Sequence, residues 1–303
     1  YYRGAVNNNW VQFGKDSSGK DIYWRIIRIN GDGSIRMIYS GTTDPKKESS
    51  VTGSNGVYMT GTGTQINATT YAFNGSRDKA EYVGYQYIEG LQHGYGECNG
   101  TSASCTVNGN TVYNSEIKQT IDKWYAGTTL KDNDLIADQI FCNDRSASTS
   151  DVAYSNANYT TLPSWNSTGT LYYYGANGRL DKSKSPVLTC PTASDKFTSK
   201  ESSIGNKALQ YPVGLITADE VAMAGGKYGT SNSTYYLYTN QSYWLGSPYY
   251  FSSNVAFEFY VHSLGHLDAD YGSYRRGARP VVSLSSKAKL SGNGTYSKPY
   301  TVS

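Results

Sequence analysis

Charge is scarce in this chain: Asp, Glu, Lys and Arg together make up 17% of its 303 residues, and the formal net charge is +3. The Lys and Arg are scattered and form no stripe, so the electrostatic footprint of a nucleic-acid partner is missing. No apolar stretch approaches the ~20 residues that a membrane-spanning helix needs. There is no Cys-x-x-Cys, and His93, the histidine nearest the cysteines, lacks the spacing of a zinc ligand. A Gly-x-Ser-x-Gly elbow is absent too, since Leu245-Gly246-Ser247-Pro248 lacks the second Gly. No repeat of solenoid length recurs, and no clean linker divides the chain. We therefore expect residues 1–303 to form one domain that is not an enzyme and carries no cofactor.

What the chain has instead is Tyr, 30 of them, with 32 Gly and abundant Ser, Thr and Asn. That composition suits a loop-rich, β-leaning extracellular protein, long enough to bury a substantial core. Cys98, Cys105, Cys142 and Cys190 allow three pairings. Joining Cys98 to Cys105 would close the Gly- and Ser-rich turn between them, and Cys142 to Cys190 would then tie a helical end to a long loop. Two disulfides and an oxidising compartment are expected, with the connectivity open. The chain begins Tyr1-Tyr2-Arg3-Gly4, without Met or signal peptide, as a mature or truncated ectodomain would. A membrane anchor or pilus segment upstream is compatible with that start.

Apolar and polar residues alternate through Ile22–Ile29 and Ser34–Tyr39, and Asn30-Gly31-Asp32-Gly33 between them is a hairpin turn. Arg25, Arg28 and Arg36 are expected on the solvent face of this hairpin. Residues 115–125 read as a helix capped by Ser115, and Leu135–Phe141 as an extension or second helix before Cys142. Tyr211–Ile216 should be a short buried strand. Thr217-Ala218-Asp219-Glu220 is a capping box opening a helix that Gly225-Gly226 stops. Further strands are expected at 234–238, 242–245, 255–261 and 278–284, and a turn and tail in the last 15 residues. Excursions of about 41–110 and 146–207 read as inserted loops. The glycosylation-type triplets at Asn67, Asn74 and Asn158 arise easily by chance in such a composition.

Five segments belong together: Arg25–Arg36; Phe141-Cys142-Asn143-Asp144-Arg145; Gly214–Glu220; Tyr243-Trp244 with Ser247-Pro248; and Gly277-Ala278-Arg279-Pro280-Val281-Val282. As a set they resemble surface-exposed proteins of Gram-positive gut bacteria and their phages, often pilin-like. The resemblance implies an α+β, C-type lectin-like fold of short antiparallel strands, two or three helices and long loop insertions. Within it, residues 243–284 are similar to the variable region of diversity-generating retroelement proteins, where adenine mutagenesis rewrites chosen codons. Residues 249–274 fit that pattern: 14 of 26 positions are Tyr, Ser, Asn, His or Asp, and none is Lys, Arg, Thr, Gln or Pro.

Tyr249, Tyr250, Ser252, Ser253, Asn254, Tyr260, His262, His266, Asp268, Asp270, Tyr271, Ser273 and Tyr274 are thus the candidate ligand contacts. Tyr supplies amphipathic area with little loss of side-chain freedom, and Ser and Asn adapt hydrogen bonds. Ala256, Phe257, Phe259, Val261 and Leu264 are the inward-facing candidates, because faces alternate along a strand. His262, His266, Asp268 and Asp270 share strand parity and form the rival metal set, which is disfavoured. The lectin calcium triplets Glu-Pro-Asn, Gln-Pro-Asp and Trp-Asn-Asp are missing. Formylglycine-generating oxidases share the lectin-like fold but need cysteines near the C-terminus, and none follows Cys190. Trp244 should anchor the core, and Arg279 should make a structural ion pair. The expected role is binding of an external protein or glycan by a secreted or surface-displayed protein, on a cell or phage particle. The alternative is a pilus or surface-assembly subunit using the same face to self-associate.

Overall fold

A seven-stranded sheet organises the chain, in the order Leu290–Ser291, Tyr300–Val302, Trp10–Lys15, Asp21–Ile29, Ile35–Tyr39, Val281–Leu284 and Ile136–Ala137. The computed structural model describes residues 1–47, 56–149, 164–169, 171–199 and 202–303. Among these residues the protein is α+β, mostly short strands, with three short α-helices at Glu116–Ala126, Gly175–Asn177 and Ala218–Ala224. The triplet at Asn158, and with it the middle of the 146–207 excursion, lies outside the described residues.

Local signals place the central elements well. The Asn30–Gly33 turn joins its two strands, with Asn30 N–H donating to Ser34 O at 2.8 Å and Gly33 at φ 82°. Ser115 caps the helix Glu116–Ala126, whose Ile117, Ile121 and Tyr125 are fully buried. The Thr217/Glu220 capping box is formed, and Gly225 ends that helix at φ 123°. Short-range chemistry decides each of these, which is why each is readable locally.

Long-range packing overturns other expectations. Arg25 and Arg36 are buried, at 0% and 1% exposure, not on a solvent face. The segments carrying Val6, Asn9 and Val57 pack over Arg25, and the helix carrying Glu220 over Arg28 and Arg36. Arg25 there donates to Asn9 Oδ1 (2.7 Å) and to the carbonyls of Val57 (2.6 Å) and Val6 (2.8 Å), with its guanidinium 4.2 Å from the Trp10 ring. Arg36 pairs with buried Glu220 at 2.6 Å, and partly buried Arg28 reaches the same carboxylate at 3.0 Å. The expected helix at 135–141 is instead two strand fragments, Ile136–Ala137 on the main sheet and Phe141–Cys142 paired with Lys196–Phe197. Helical periodicity in so short an apolar run yields to available sheet edges. Residues 234–238 form no strand, and Tyr211–Ile216 contributes only a bridge from Gly214 to Val281. The C-terminal tail is partly ordered, as Tyr300–Val302 pairs in parallel with Trp10–Lys15.

Disulfides join Cys98 to Cys105 and Cys142 to Cys190, and no cysteine is free. They point to an oxidising environment. No helix among the described residues is long and apolar enough to cross a membrane. The Cys142–Cys190 bridge spans 48 residues, so it removes far more freedom from the unfolded chain than the 7-residue bridge does. Replacing both Cys142 and Cys190 by Ser should cost about 2–4 kcal/mol in urea unfolding, against a smaller loss for Cys98 and Cys105. Equal losses would show that loop length is not what matters.

Candidate ligand-binding surface

Tyr172–Tyr173, Tyr243–Ser252, Val255–Val261 and Leu267–Tyr271 form a second, antiparallel sheet of four strands, in that order. Residues 243–271 therefore supply three of its four strands, and Val281–Leu284, at the end of the same segment, joins the seven-stranded sheet. Trp244 is fully buried, donating from Nε1 to Tyr71 O at 2.7 Å. Ser247 Oγ accepts the Ala218 N–H at 3.0 Å, tying the sheet to the start of the capped helix. Arg279 is buried without the expected ion pair. It donates instead to the carbonyls of Tyr39 (3.0 Å) and Leu237 (3.2 Å) and lies 4.8 Å from the Tyr243 ring. Backbone oxygens take up Nε and Nη1 there, in place of the carboxylate that an ion pair would supply.

The pairing of Tyr243–Ser252 with Val255–Val261 shifts register twice, between Trp244 and Pro248 and between Pro248 and Tyr250. A bulge of this kind breaks simple alternation and re-aims side chains. Its effect is to bring the consecutive residues Tyr249 and Tyr250 onto one face. Tyr249 meets Phe259 at 4.9 Å between ring centroids, and Tyr250 meets Phe257 at 4.3 Å.

From Tyr250 an aromatic row crosses the whole sheet. Tyr173, Tyr250, Phe257 and Tyr271 are direct cross-strand partners in successive strands. Their rings follow at 5.7, 4.3 and 4.6 Å, and all four are partly exposed. Tyr274, 46% exposed, extends the row 4.9 Å beyond Tyr271, and the Arg77 guanidinium lies 4.4 Å from the Tyr271 ring. An unbroken, partly exposed row of rings offers large rigid contact area at low entropic cost.

The thirteen sequence candidates therefore do not form one surface. Tyr250, Tyr271 and Tyr274 are in the row, with Ser273 in the turn between the last two. Tyr249 and Tyr260 are buried, at 7% and 5% exposure, and serve packing. Ser252, Ser253 and Asn254 form one hairpin tip, while His262 and His266 stack at 4.5 Å beside the other turn. The strand Val255–Val261 separates those two ends by about 20 Å. Asp268 and Asp270 lie on the face opposite the row. There Asp268 accepts the Tyr260 hydroxyl at 3.0 Å, and Asp270 is paired with Arg276. No cluster of three His, Cys, Asp or Glu that could hold a metal occurs among the described residues. Leu264, expected inside, is 53% exposed in its turn. Phe257, also expected inside, is a rung. Sequence reasoning missed Tyr173 and Arg77 as well: both lie far from 249–274, and only the Tyr-rich island 171–174 hinted at the first.

Comparison with known protein families, characterised proteins and solved structures finds no match to this chain. What the surface does is read from its own geometry.

Behind the row, Glu258 is fully buried on the face shared by Ala256 and Tyr260, and neither carboxyl oxygen has a hydrogen-bond partner. Burial pushes its pKa well above the ordinary carboxylate range, with Arg145 acting in the opposite sense. A raised acid binds its proton more tightly when folded. Its contribution to stability is therefore full below the unfolded value near 4.5 and declines as pH rises toward the folded one, by about 1.4 kcal/mol per pH unit. Glu258→Met should flatten that decline and stabilise the protein at pH ~8 by about 1–3 kcal/mol. Urea unfolding near pH 5 and pH 8 checks it; identical pH slopes in parent and variant would contradict a neutral Glu258.

Proposed function

We propose that the chain is a C-type lectin-like binding protein, secreted or displayed on a cell or phage surface, whose aromatic sheet face recognises an external protein or glycan. The observation that carries this is the partly exposed row Tyr173–Tyr250–Phe257–Tyr271, placed on a framework of buried aromatics and arginines. The α+β architecture, with short antiparallel strands and long excursions, supports the lectin-like reading. The residues that line the face offer rigid area and hydrogen bonds, which supports a binding role.

The interchangeable composition of 249–274 is read as diversification. Tyr250, Ser252, Ser253, Asn254, Tyr271, Ser273 and Tyr274 are accessible positions that could vary without loss of the fold. A near-duplicate of the 243–284 coding segment beside a reverse transcriptase gene, mismatched only at template adenines, is the expected genomic signature. Binding itself is tested by probing glycan and cell-surface protein arrays with the purified protein and a Tyr250→Ala/Phe257→Ala variant. Retained signal in the variant would remove the row from the binding role, and concentration-dependent self-association without any ligand would favour an assembly subunit.

A further inference from the structure

Beside the inner end of the aromatic face opens a cavity of 420 Å³, lined in part by the buried side chains of Leu180 and Leu267 and by Tyr228. The exposed cations Arg3, Lys184 and Lys227 complete it, brought together from three distant segments. No Asp or Glu lines this cavity, and none of the three cations is ion-paired among the described residues. Asp181, which accepts the Tyr249 hydroxyl at 3.4 Å, already has Lys182 at 3.5 Å.

The contrast with a second cavity, of 190 Å³, is instructive. Three cations line that one as well, but each is ion-paired in place: Arg28 and Arg36 share Glu220, and Arg179 has Asp144 and Asp219. Of these two, the 420 Å³ cavity is the one whose cations make no ion pair among the described residues. Like charges gathered without a counter-charge repel, and an anionic group relieves that repulsion. The volume lies within the ~300–1,000 Å³ of small-ligand sites, and the apolar floor suits a compact ring rather than a bare ion.

Tyr228 links this cavity to the row. Its ring stacks on Tyr249 at 5.6 Å, the two hydroxyls are 2.8 Å apart, and Tyr249 meets Tyr250 at 5.0 Å. Rings thus continue without a gap from the cavity wall to the second rung. We infer that the ligand is an acidic glycan: its carboxylate-bearing terminal sugar enters the cavity against Arg3, Lys184 and Lys227, and the following sugars lie on the rungs. This deepens the proposed function and rests on the sheet face being the ligand surface.

Calorimetric titration of the full chain tests it with sialyllactose and a hyaluronan tetrasaccharide, two sources of a sugar carboxylate. Lactose, carboxyl-reduced forms of both acidic sugars, and polyglutamate are the comparisons. At least one acidic glycan should bind, its reduced form should not, and affinity should fall as salt is raised from about 0.05 to 0.5 M. The exposed double variant Lys184→Gln/Lys227→Gln should lose about tenfold in affinity while melting like the parent. Equal binding of acidic and neutral sugars, binding of polyglutamate as tight as that of the glycans, or an unaffected double variant would overturn the inference. So would failure of every acidic glycan. Ligands found on arrays that still required Tyr250 and Phe257 would in that case leave the sheet-face reading standing.

Discussion

Asp195→Ala should unfold this protein under conditions where the parent is folded, at a cost of about 5 kcal/mol. Asp195 and Arg145 are both fully buried. The Asp195 carboxylate accepts from Arg145 Nε (2.9 Å) and from the Arg145 backbone N–H (2.8 Å), and faces His93 Nδ1 at 3.0 Å. Arg145 Nη1 in turn donates to the carbonyls of Gln86 (2.9 Å) and Gly94 (3.0 Å). Removing the carboxylate strands a guanidinium charge in the interior, and that uncompensated charge dominates the cost. Burial acts to raise the Asp195 pKa, but Arg145, with His93, more than offsets it and holds the value below the ordinary one. A depressed acid contributes stability above its unfolded value near 3.8, and the contribution is lost as pH falls through the lower folded value. Urea unfolding from pH 7 downward should show that loss in the parent but not in Asp195→Asn. A double variant, Asp195→Leu/Arg145→Met, should recover part of the stability because no lone charge remains. If Asp195→Ala cost less than about 1 kcal/mol, water would have to reach Arg145.

Binding should respond as sharply to the rungs of the aromatic row. Tyr250→Ala and Tyr271→Ala are each expected to weaken ligand binding by about thirtyfold or more, because central aromatic anchors carry most of an interface's energy. Tyr250→Phe keeps the ring and should cost little. Asn254→Ala, at a hairpin tip, and His262→Ala, at the far turn, should change affinity only about twofold, as peripheral positions do. Surface plasmon resonance with whichever ligand the arrays identify checks this ranking. A loss at Asn254 or His262 equal to that at Tyr250 would move the binding site to the sheet's ends.

The motif Phe141-Cys142-Asn143-Asp144-Arg145 shows how much could be read beforehand. Its five residues stand out in the chain, yet their chemistry depends on partners far away in sequence. Cys142 bonds to Cys190, and Asn143 receives the Tyr85 N–H at 2.9 Å and donates to Gly246 O at 3.2 Å. Asp144 pairs with Arg179 at 2.8 Å, and Arg145 with Asp195. The candidate surface behaves the same way. Its strand composition was legible and Pro248 marks the irregular position, but that Tyr249 and Tyr250 would share one face, the first buried and the second partly exposed, depends on the partner strands.

By itself the sequence determined the features whose physics is short-range. These are the Asn30–Gly33 turn, the Ser115 and Thr217 caps, the glycine stop at Gly225 and the cysteines of an oxidised protein. Each depends on a hydrogen bond or backbone angle within a few residues. Only the tertiary structure decided that Arg25 and Arg36 are buried, that residues 300–302 complete a sheet, and that Phe257 and Tyr173 are rungs while Tyr249 and Tyr260 are core. Those outcomes depend on which distant segment covers which face. Burial is a property of the whole packed chain, and a residue's own neighbours in sequence do not contain it.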